Sequence, residues 1–235
     1  MTSNNRTMLI TGASRGIGLY LAQYYISKGW IVLGCSRNKP SYGHENFTFY
    51  KVDLSNEKEI DKLFLKLRKD IKQIDAVINN AGIASMNLLS LTPYKTAEKI
   101  FSVNVLGSYS VIQKSIRLLK KSSQPRIVNF STVAVPLRLA GESIYAASKS
   151  AVETMTRILA KELSGMNITC NAIGPAPIKT DLIKGVGEER IKALIQQQAI
   201  HRLAEFEDVS NVIDFFIHPN SDMITGQIIY LGGLG

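Results

Sequence analysis

Thr11-Gly12-Ala13-Ser14-Arg15-Gly16-Ile17-Gly18 follows directly on the β-rich run Thr7–Thr11 and leads into a helical pattern over 17–28. Glycines between a strand and a helix permit a tight turn and let a bulky anion approach the backbone. The first N–H groups of the helix are unpaired and point at that anion. The G-x-x-x-G-x-G spacing at the end of a first strand therefore predicts a cradle for a pyrophosphate.

Outward from this loop, short β-rich runs alternate with helical patterns to the end of the chain. Strands are expected at Thr7–Thr11, 30–36, 48–52, Ala76–Asn79, 126–131, 168–173 and 227–231, with helices near 17–28, 56–71, 95–119, 145–164, 186–198 and 207–216. Such alternation implies βαβ crossovers and a parallel sheet covered on both faces. No repeat, low-complexity tract or linker divides the chain, so 1–235 reads as a single domain. The stretch 174–190, with Pro175, Pro177, Gly185 and Gly187, reads as a lid over a site.

Composition narrows the class. The 235 residues are 45% hydrophobic and 20% charged, a globular balance. No apolar stretch approaches the roughly 20 residues of a bilayer crossing, and the polar N-terminus has no apolar signal segment, so a cytoplasmic protein without membrane contact is expected. Cys35 and Cys170 lie 135 positions apart and read as buried thiols, and the three histidines are too scattered for a metal site. The net charge of +9 sits in the first half: residues 1–120 hold 17 Lys and Arg against 8 Asp and Glu, whereas residues 121–235 hold 11 of each. Lys58, Lys62, Lys66 and Lys69 recur opposite Ile60, Leu63, Phe64, Leu67 and Ile71, the pattern of a solvated helix face. No aromatic residues interleave with these cations as a single-strand groove requires, so no nucleic-acid partner is expected.

Further motifs follow the glycine loop in order: Asp53-Leu54 after the third strand, Asn79-Asn80-Ala81-Gly82 after the fourth, Asn104 within Val103–Gly107, and Tyr145-Ala146-Ala147-Ser148-Lys149. Together they resemble the short-chain dehydrogenase/reductase family, particularly its 3-oxoacyl-carrier-protein-reductase-like members, over essentially the whole chain. The resemblance implies a doubly wound, seven-stranded parallel Rossmann sheet with helices on both faces, an α/β single domain. It also implies oxidoreduction between a carbonyl and an alcohol, on a small-molecule or acyl-carrier-bound substrate, by a homo-oligomer (dimer or tetramer).

Residue by residue, the resemblance implies cofactor contacts from Gly12, Ser14, Arg15, Gly16, Ile17 and Gly18, from Asp53 and Leu54 at the adenine, and from Asn80, Ala81 and Gly82 beside the adenosine. Pro175, Ile178 and Thr180 would meet the carboxamide and phosphate end. At the close of the second strand Cys35-Ser36-Arg37 carries no carboxylate to pair with free ribose hydroxyls. Arg37, with Arg15, is suited to grip a 2′-phosphate, so NADP(H) is expected.

Tyr-x-x-x-Lys occurs twice. Tyr24 and Lys28 lie in the helix after the cofactor loop without an upstream hydroxyl at the family spacing, and read as coincidence. Tyr145 and Lys149 project from one face of a helix that Gly165 is placed to cap. A nearby ammonium is expected to lower the phenol's pKa toward the working pH and make Tyr145 a general acid or base. The family's hydroxyl residue lies thirteen positions before the tyrosine, which is Thr132. Ser131 precedes it, and alternation along a strand lets only one of the two face the site. Asn104 would interrupt a helix and hold a water serving Lys149. Tyr145, Lys149, Thr132 and Asn104 are thus the expected catalytic set. The alternative is a dinucleotide-binding regulatory or scaffold protein with little catalysis, motivated by departures from the family pattern. These are Thr132 itself, Pro175-Ala176 for Pro-Gly, and Leu231 where an aspartate commonly precedes two glycines. Val135, Leu137 and Leu139 are expected to form an apolar substrate wall, with Arg138 as an anion contact.

Overall fold

The computed structural model describes residues 6–180 and 187–233. Among them seven strands form one parallel sheet: β1 (Thr7–Thr11), β2 (Ile31–Ser36), β3 (Phe47–Lys51), β4 (Ala76–Asn79), β5 (Arg126–Phe130), β6 (Thr169–Gly174) and β7 (Ile228–Tyr230), in the order β3-β2-β1-β4-β5-β6-β7. The order reverses between β1 and β4, where Leu9 pairs with Leu33 on one side and Val77 on the other. The carboxyl ends of these two strands therefore splay apart their following loops and open a crevice.

Residues alternate between the two faces of the sheet. Met8, Ile10 and Val128 face α1 (Gly16–Ser27) and α8 (Phe206–Ile217), packing on Leu21, Tyr25, Ile213 and Phe216. Leu9, Val77 and Ile127 face α2 (Glu57–Asp70), α4 (Ser108–Leu119) and α6 (Ser143–Glu162). With both faces covered, the inner strands are buried throughout, as a parallel sheet requires. The α2 lysines are exposed opposite buried Ile60, Leu63, Phe64 and Leu67, and the Asn56 side chain caps the helix by accepting from the Lys58 amide at 3.1 Å.

Three local expectations are corrected. The helix read over 95–119 is two helices, α3 (Tyr94–Phe101) and α4, joined by the wider π turn Ser102–Gly107 that carries Asn104. The stretch after β5 contains a short helix, α5 (Ala134–Leu137), closed by Arg138 in the left-handed region at φ 51. The left-handed residue beyond α6 is Asn167 at φ 56, and Gly165 lies within a 3-10 turn before it. Of the stretch 174–190 expected to form a lid, residues 181–186 lie outside the described residues, and α7 (Glu188–Gln196) follows them.

Candidate active site

The loops after β1, β4 and β5 border a cavity of about 500 Å³ lined by Ser36, Arg37 and Asn38 beyond β2, by Thr180 close to Gly16 in the glycine loop, and by Tyr145 and Lys149 of α6. Every expected cofactor-binding and catalytic residue lines it except Gly18 and Asn104. Gly12 adopts φ +71, and a Cβ on Gly18 would fall 2.2 Å from the Gly12 carbonyl oxygen. The first position requires a backbone that L side chains rarely adopt, and the second lets helix and loop touch. The α1 start, Gly16 and Ile17, lines the cavity and has no side-chain cap from its N-cap residue, and the first N–H groups of a helix have no partner within it. The shape and chemistry of this cradle fit the pyrophosphate of a dinucleotide.

Asn80 fastens that cradle: its amide donates to the Thr11 carbonyl at 2.9 Å, and the Thr11 hydroxyl accepts from the Ala81 amide at 3.0 Å. Its side chain thus ties the β4 loop to the β1 loop while Ala81 and Gly82 form the cavity wall. Beyond β2 and β3, Arg37 and Asp53 lie close together. Burial raises the Asp53 pKa, but donation from the Ser55 amide and hydroxyl, with the charges of Arg37 and Lys99, outweighs it and holds the carboxyl below its usual value. Arg15 and Arg37 are both exposed along the cavity rim.

Helix α6 presents Tyr145 and Lys149 one turn apart, 7% and 4% exposed. Lys149 Nζ donates to the Phe130 carbonyl at 2.7 Å. The Thr132 hydroxyl lies beside the Tyr145 phenol and lowers its pKa, whereas the Ser131 hydroxyl donates to the Glu153 carboxylate. The two neighbours thus have separate partners, and it is Thr132 that meets Tyr145. The expected lowering of the Tyr145 pKa is corrected: burial pushes it up to about 12, and against this the Thr132 hydroxyl lowers it while Glu142 raises it further. Burial likewise brings Lys149 down to about 8. Removing water from both groups disfavours both charged forms and overrides the attraction between them. The site therefore holds a neutral phenol at neutral pH, ready to donate a proton.

Asn104 is 1% exposed and fully engaged: Oδ1 accepts from the Ile83 amide at 2.9 Å, and Nδ2 donates to the Ile83 carbonyl at 2.9 Å and to the Ser148 hydroxyl at 3.0 Å. The π turn swings it out of the helical ladder to do so, a recurrent use of such turns. Tyr24 and Lys28 lie apart from the cavity. Tyr24 donates to Asp214 at 2.5 Å, and Lys28 sits over the Tyr24 ring.

On the substrate side, Leu139 lines the cavity while Val135, Leu137 and Arg138 do not, because α5 turns them away. The apolar wall is completed by Met86, Ile191 and Leu194, which were not anticipated from the sequence because they come from a loop and from α7. Glu142 was also missed. It precedes α6 beside Tyr145, and burial raises its pKa. Its distance from Tyr145, three residues along a helix, was the available signal. No group of three or more His, Cys, Asp and Glu among the described residues is arranged to hold a metal, and no described helix is long and apolar enough to cross a membrane.

Residues 12–233 match the family model described as enoyl-(acyl carrier protein) reductase. The chain is 30% identical to the 3-oxoacyl-(acyl-carrier-protein) reductase of Aquifex aeolicus over 97% of its own length and 96% of the relative's. It is 27% identical to the enzyme of that name from Vibrio cholerae, covering 99% and 98%. Among solved structures, Thermoplasma acidophilum aldohexose dehydrogenase superposes with a TM-score of 0.89 at 27% identity, covering 98% and 94%. A 4-hydroxyisoleucine dehydrogenase complexed with NADH gives 0.91 at 25%, covering 98% of each chain. With the family model matching residues 12–233 and these relatives covered almost end to end, the chain belongs to the short-chain dehydrogenase/reductase family of oxidoreductases, among its 3-oxoacyl-carrier-protein-reductase-like members.

Proposed function

We propose that this protein is an NADPH-dependent carbonyl reductase in which Tyr145 donates the proton and Thr132 steadies the carbonyl oxygen. The observation that carries this reading is the meeting of a buried, neutral phenol and a threonine hydroxyl in a cavity that a glycine cradle also lines. The nicotinamide, when bound, supplies the hydride that reaches the carbonyl carbon. The Tyr145 and Thr132 hydroxyls point donors at the oxygen where negative charge develops, and the Tyr145 proton passes to it, giving the alcohol. Lys149, with a pKa near neutrality, returns a proton to Tyr145 from solvent and is placed to hold ribose hydroxyls. Asn104 holds the loop at Ile83 behind this relay. The same groups run alcohol oxidation in reverse.

The 2′-phosphate preference rests on Arg15 and Arg37 at the rim and on a β2 end without a carboxylate. Apolar Met86, Leu139, Ile191 and Leu194 favour a small or acyl-carrier-bound chain as substrate, and the carboxyl of Glu142 disfavours one with a negative charge next to the carbonyl. The protein is read as one 1–235 domain working in the cytoplasm, in keeping with two free buried cysteines. Exposed Leu106, Tyr109 and Ile158 favour a homo-oligomer.

The test is a panel of β-ketoesters, simple ketones and acetoacetyl-coenzyme A, with NADPH or NADH, followed at the cofactor's absorbance. Turnover is expected with NADPH, and Tyr145→Phe should abolish it while leaving NADPH fluorescence titration nearly unchanged. NADPH binding without turnover across the panel would instead favour a regulatory dinucleotide-binding protein, and turnover by Tyr145→Phe would remove the phenol from the mechanism.

A further inference from the structure

Three consecutive residues, Phe130 at the end of β5 and the two that follow it, each face a polar group of α6, the first two through hydrogen bonds, and all three of those groups lie on one helix face. The Phe130 carbonyl accepts from Lys149 at 2.7 Å, the Ser131 hydroxyl donates to Glu153, and the Thr132 hydroxyl meets Tyr145. Tyr145, Lys149 and Glu153 follow one another at four-residue spacing, so the same rotation of α6 presents all of them. Two of these attachments involve groups that the proposed reaction uses. The middle one does not, and it is the most enclosed: Ser131 is 3% and Glu153 4% exposed.

Glu153 is held from a second side. Tyr230, on β7, donates from its phenol to the same carboxylate oxygen at 2.6 Å, while the other oxygen faces Arg157 at 3.9 Å. Tyr230 reaches across β6 because Gly174 has no side chain: a Cβ there would fall 2.3 Å from the Tyr230 ring. The Ser131 backbone is itself fixed, its amide donating to the Ile173 carbonyl at 2.7 Å. A buried carboxylate is heavily penalised, and an apolar side chain would fill this space with less loss. What a carboxylate provides instead is direction: one oxygen that takes hydroxyl hydrogens from β5 and β7 together.

We propose that Glu153 is a positioning residue, which through Ser131 sets the rotation of the 130–132 segment and so keeps the Phe130 carbonyl on Lys149 and the Thr132 hydroxyl on Tyr145. The proposal rests on the reading of Tyr145 and Thr132 as the reacting pair. Glu153→Gln retains an oxygen acceptor in the same place. Glu153→Leu fills the space without one, and Ser131→Ala removes the donor.

The experiment has two readouts. With the best carbonyl substrate of the panel, kcat is measured per NADPH-binding site, so that misfolded protein is not counted. In the cofactor-free protein labelled with 13C at the tyrosine ring carbon bearing the hydroxyl, the Tyr145 resonance, assigned with Tyr145→Phe, reports the placing of the Thr132 hydroxyl beside it. Glu153→Leu and Ser131→Ala are expected to lower kcat on the order of 10- to 100-fold, as a displaced reacting group does, with the NADPH Kd within about twofold of wild type. In both, the Tyr145 resonance should move toward its position in Thr132→Ala. Glu153→Gln should restore the rate to within about fivefold and leave the resonance in place. Folded Glu153→Leu or Ser131→Ala with wild-type resonance and wild-type kcat per site would overturn the proposal and leave Glu153 as an internal brace. Should the wild type reduce no carbonyl at all, the reductase reading falls by that result, and the resonance alone still decides whether Glu153 positions Thr132.

Discussion

Tyr145 shows how burial and neighbours divide the work at a single residue. Burial alone stabilises the protonated phenol, and Glu142 adds to it by repelling a phenolate. The Thr132 hydroxyl opposes both by donating to the phenolate when it forms. The sign of each variant follows. Replacing Glu142 by Gln removes a negative neighbour and should move the Tyr145 titration to lower pH. Replacing Thr132 by Val removes the hydroxyl and should move it to higher pH. Lys149, which burial brings down to about 8, and Glu153 on the same helix face are common to both variants. In the direction of alcohol oxidation, where phenolate is the base, the limb of kcat that rises with pH should therefore shift to lower pH in Glu142→Gln and to higher pH in Thr132→Val. Thr132→Val should also lose rate on the order of 100-fold, as an oxyanion donor is gone, and Thr132→Ser should recover most of it. A pH profile of kcat for the three variants checks both signs. Identical limbs would mean that neither side chain reaches the phenol.

Elements place these residues, and one contact between elements outside the cavity is open to measurement. Helices α1 and α8 are joined by Asp214, which accepts from Tyr24 at 2.5 Å and from Tyr25 at 3.0 Å. Tyr25 is buried, and burial is the main cause that raises its pKa. Asp214→Ala leaves a buried hydroxyl without an acceptor and should destabilise the fold by about 1–3 kcal/mol. Tyr24→Phe gives up only a partly exposed hydrogen bond and should lose under about 1 kcal/mol. Urea unfolding midpoints compared at constant slope distinguish the two. The same scale explains what was legible in advance. Strands and most helices follow from periods of two and 3.6, and their ends shift by only a residue or two. That Asn104 interrupts the helix was implied by the family resemblance, but the form of the break, a π turn, was not legible, because Tyr94 to Leu119 keeps one helical pattern and the partners of Asn104, Ile83 and Ser148, lie on other elements. Nor was the turning of Val135, Leu137 and Arg138 away from the cavity, which depends on α5 closing in a left-handed residue. The glycine loop and the four-residue step from Tyr145 to Lys149 were legible because local geometry fixes their spacing, whereas Thr132, on a different element, was reached only through the family resemblance. Met86 and Leu194 enter the site only through tertiary packing, whereas Glu142, three residues before Tyr145, could have been found by that spacing.

In the whole molecule, the reversal of strand order between β1 and β4 opens the cavity, and only the part of it beyond β2 selects the cofactor. Of the excess positive charge in residues 1–120, much is the solvated face of α2, but Arg15 and Arg37 border the cavity where β2 ends. A ligand that binds the folded state alone stabilises it by about 2.7 kcal/mol at 100 times its Kd. For a chain of this size that is a rise in Tm of about 5–10 °C. NADPH, at 100 times its own measured Kd for the wild type, should produce that rise. NADH at the same concentration should produce less, since it offers no 2′-phosphate to the two guanidinium groups, and the gap should narrow at 0.5 M salt because both are exposed and screened. Arg37→Asp places a carboxylate at the β2 end, where it repels a 2′-phosphate and accepts from free ribose hydroxyls, so the order of the two cofactors should invert. Thermal melts of both proteins with each cofactor read all of this without a substrate. A wild-type protein stabilised equally by the two, or more by NADH, would separate Arg37 and Arg15 from cofactor choice while leaving the Tyr145 chemistry untouched.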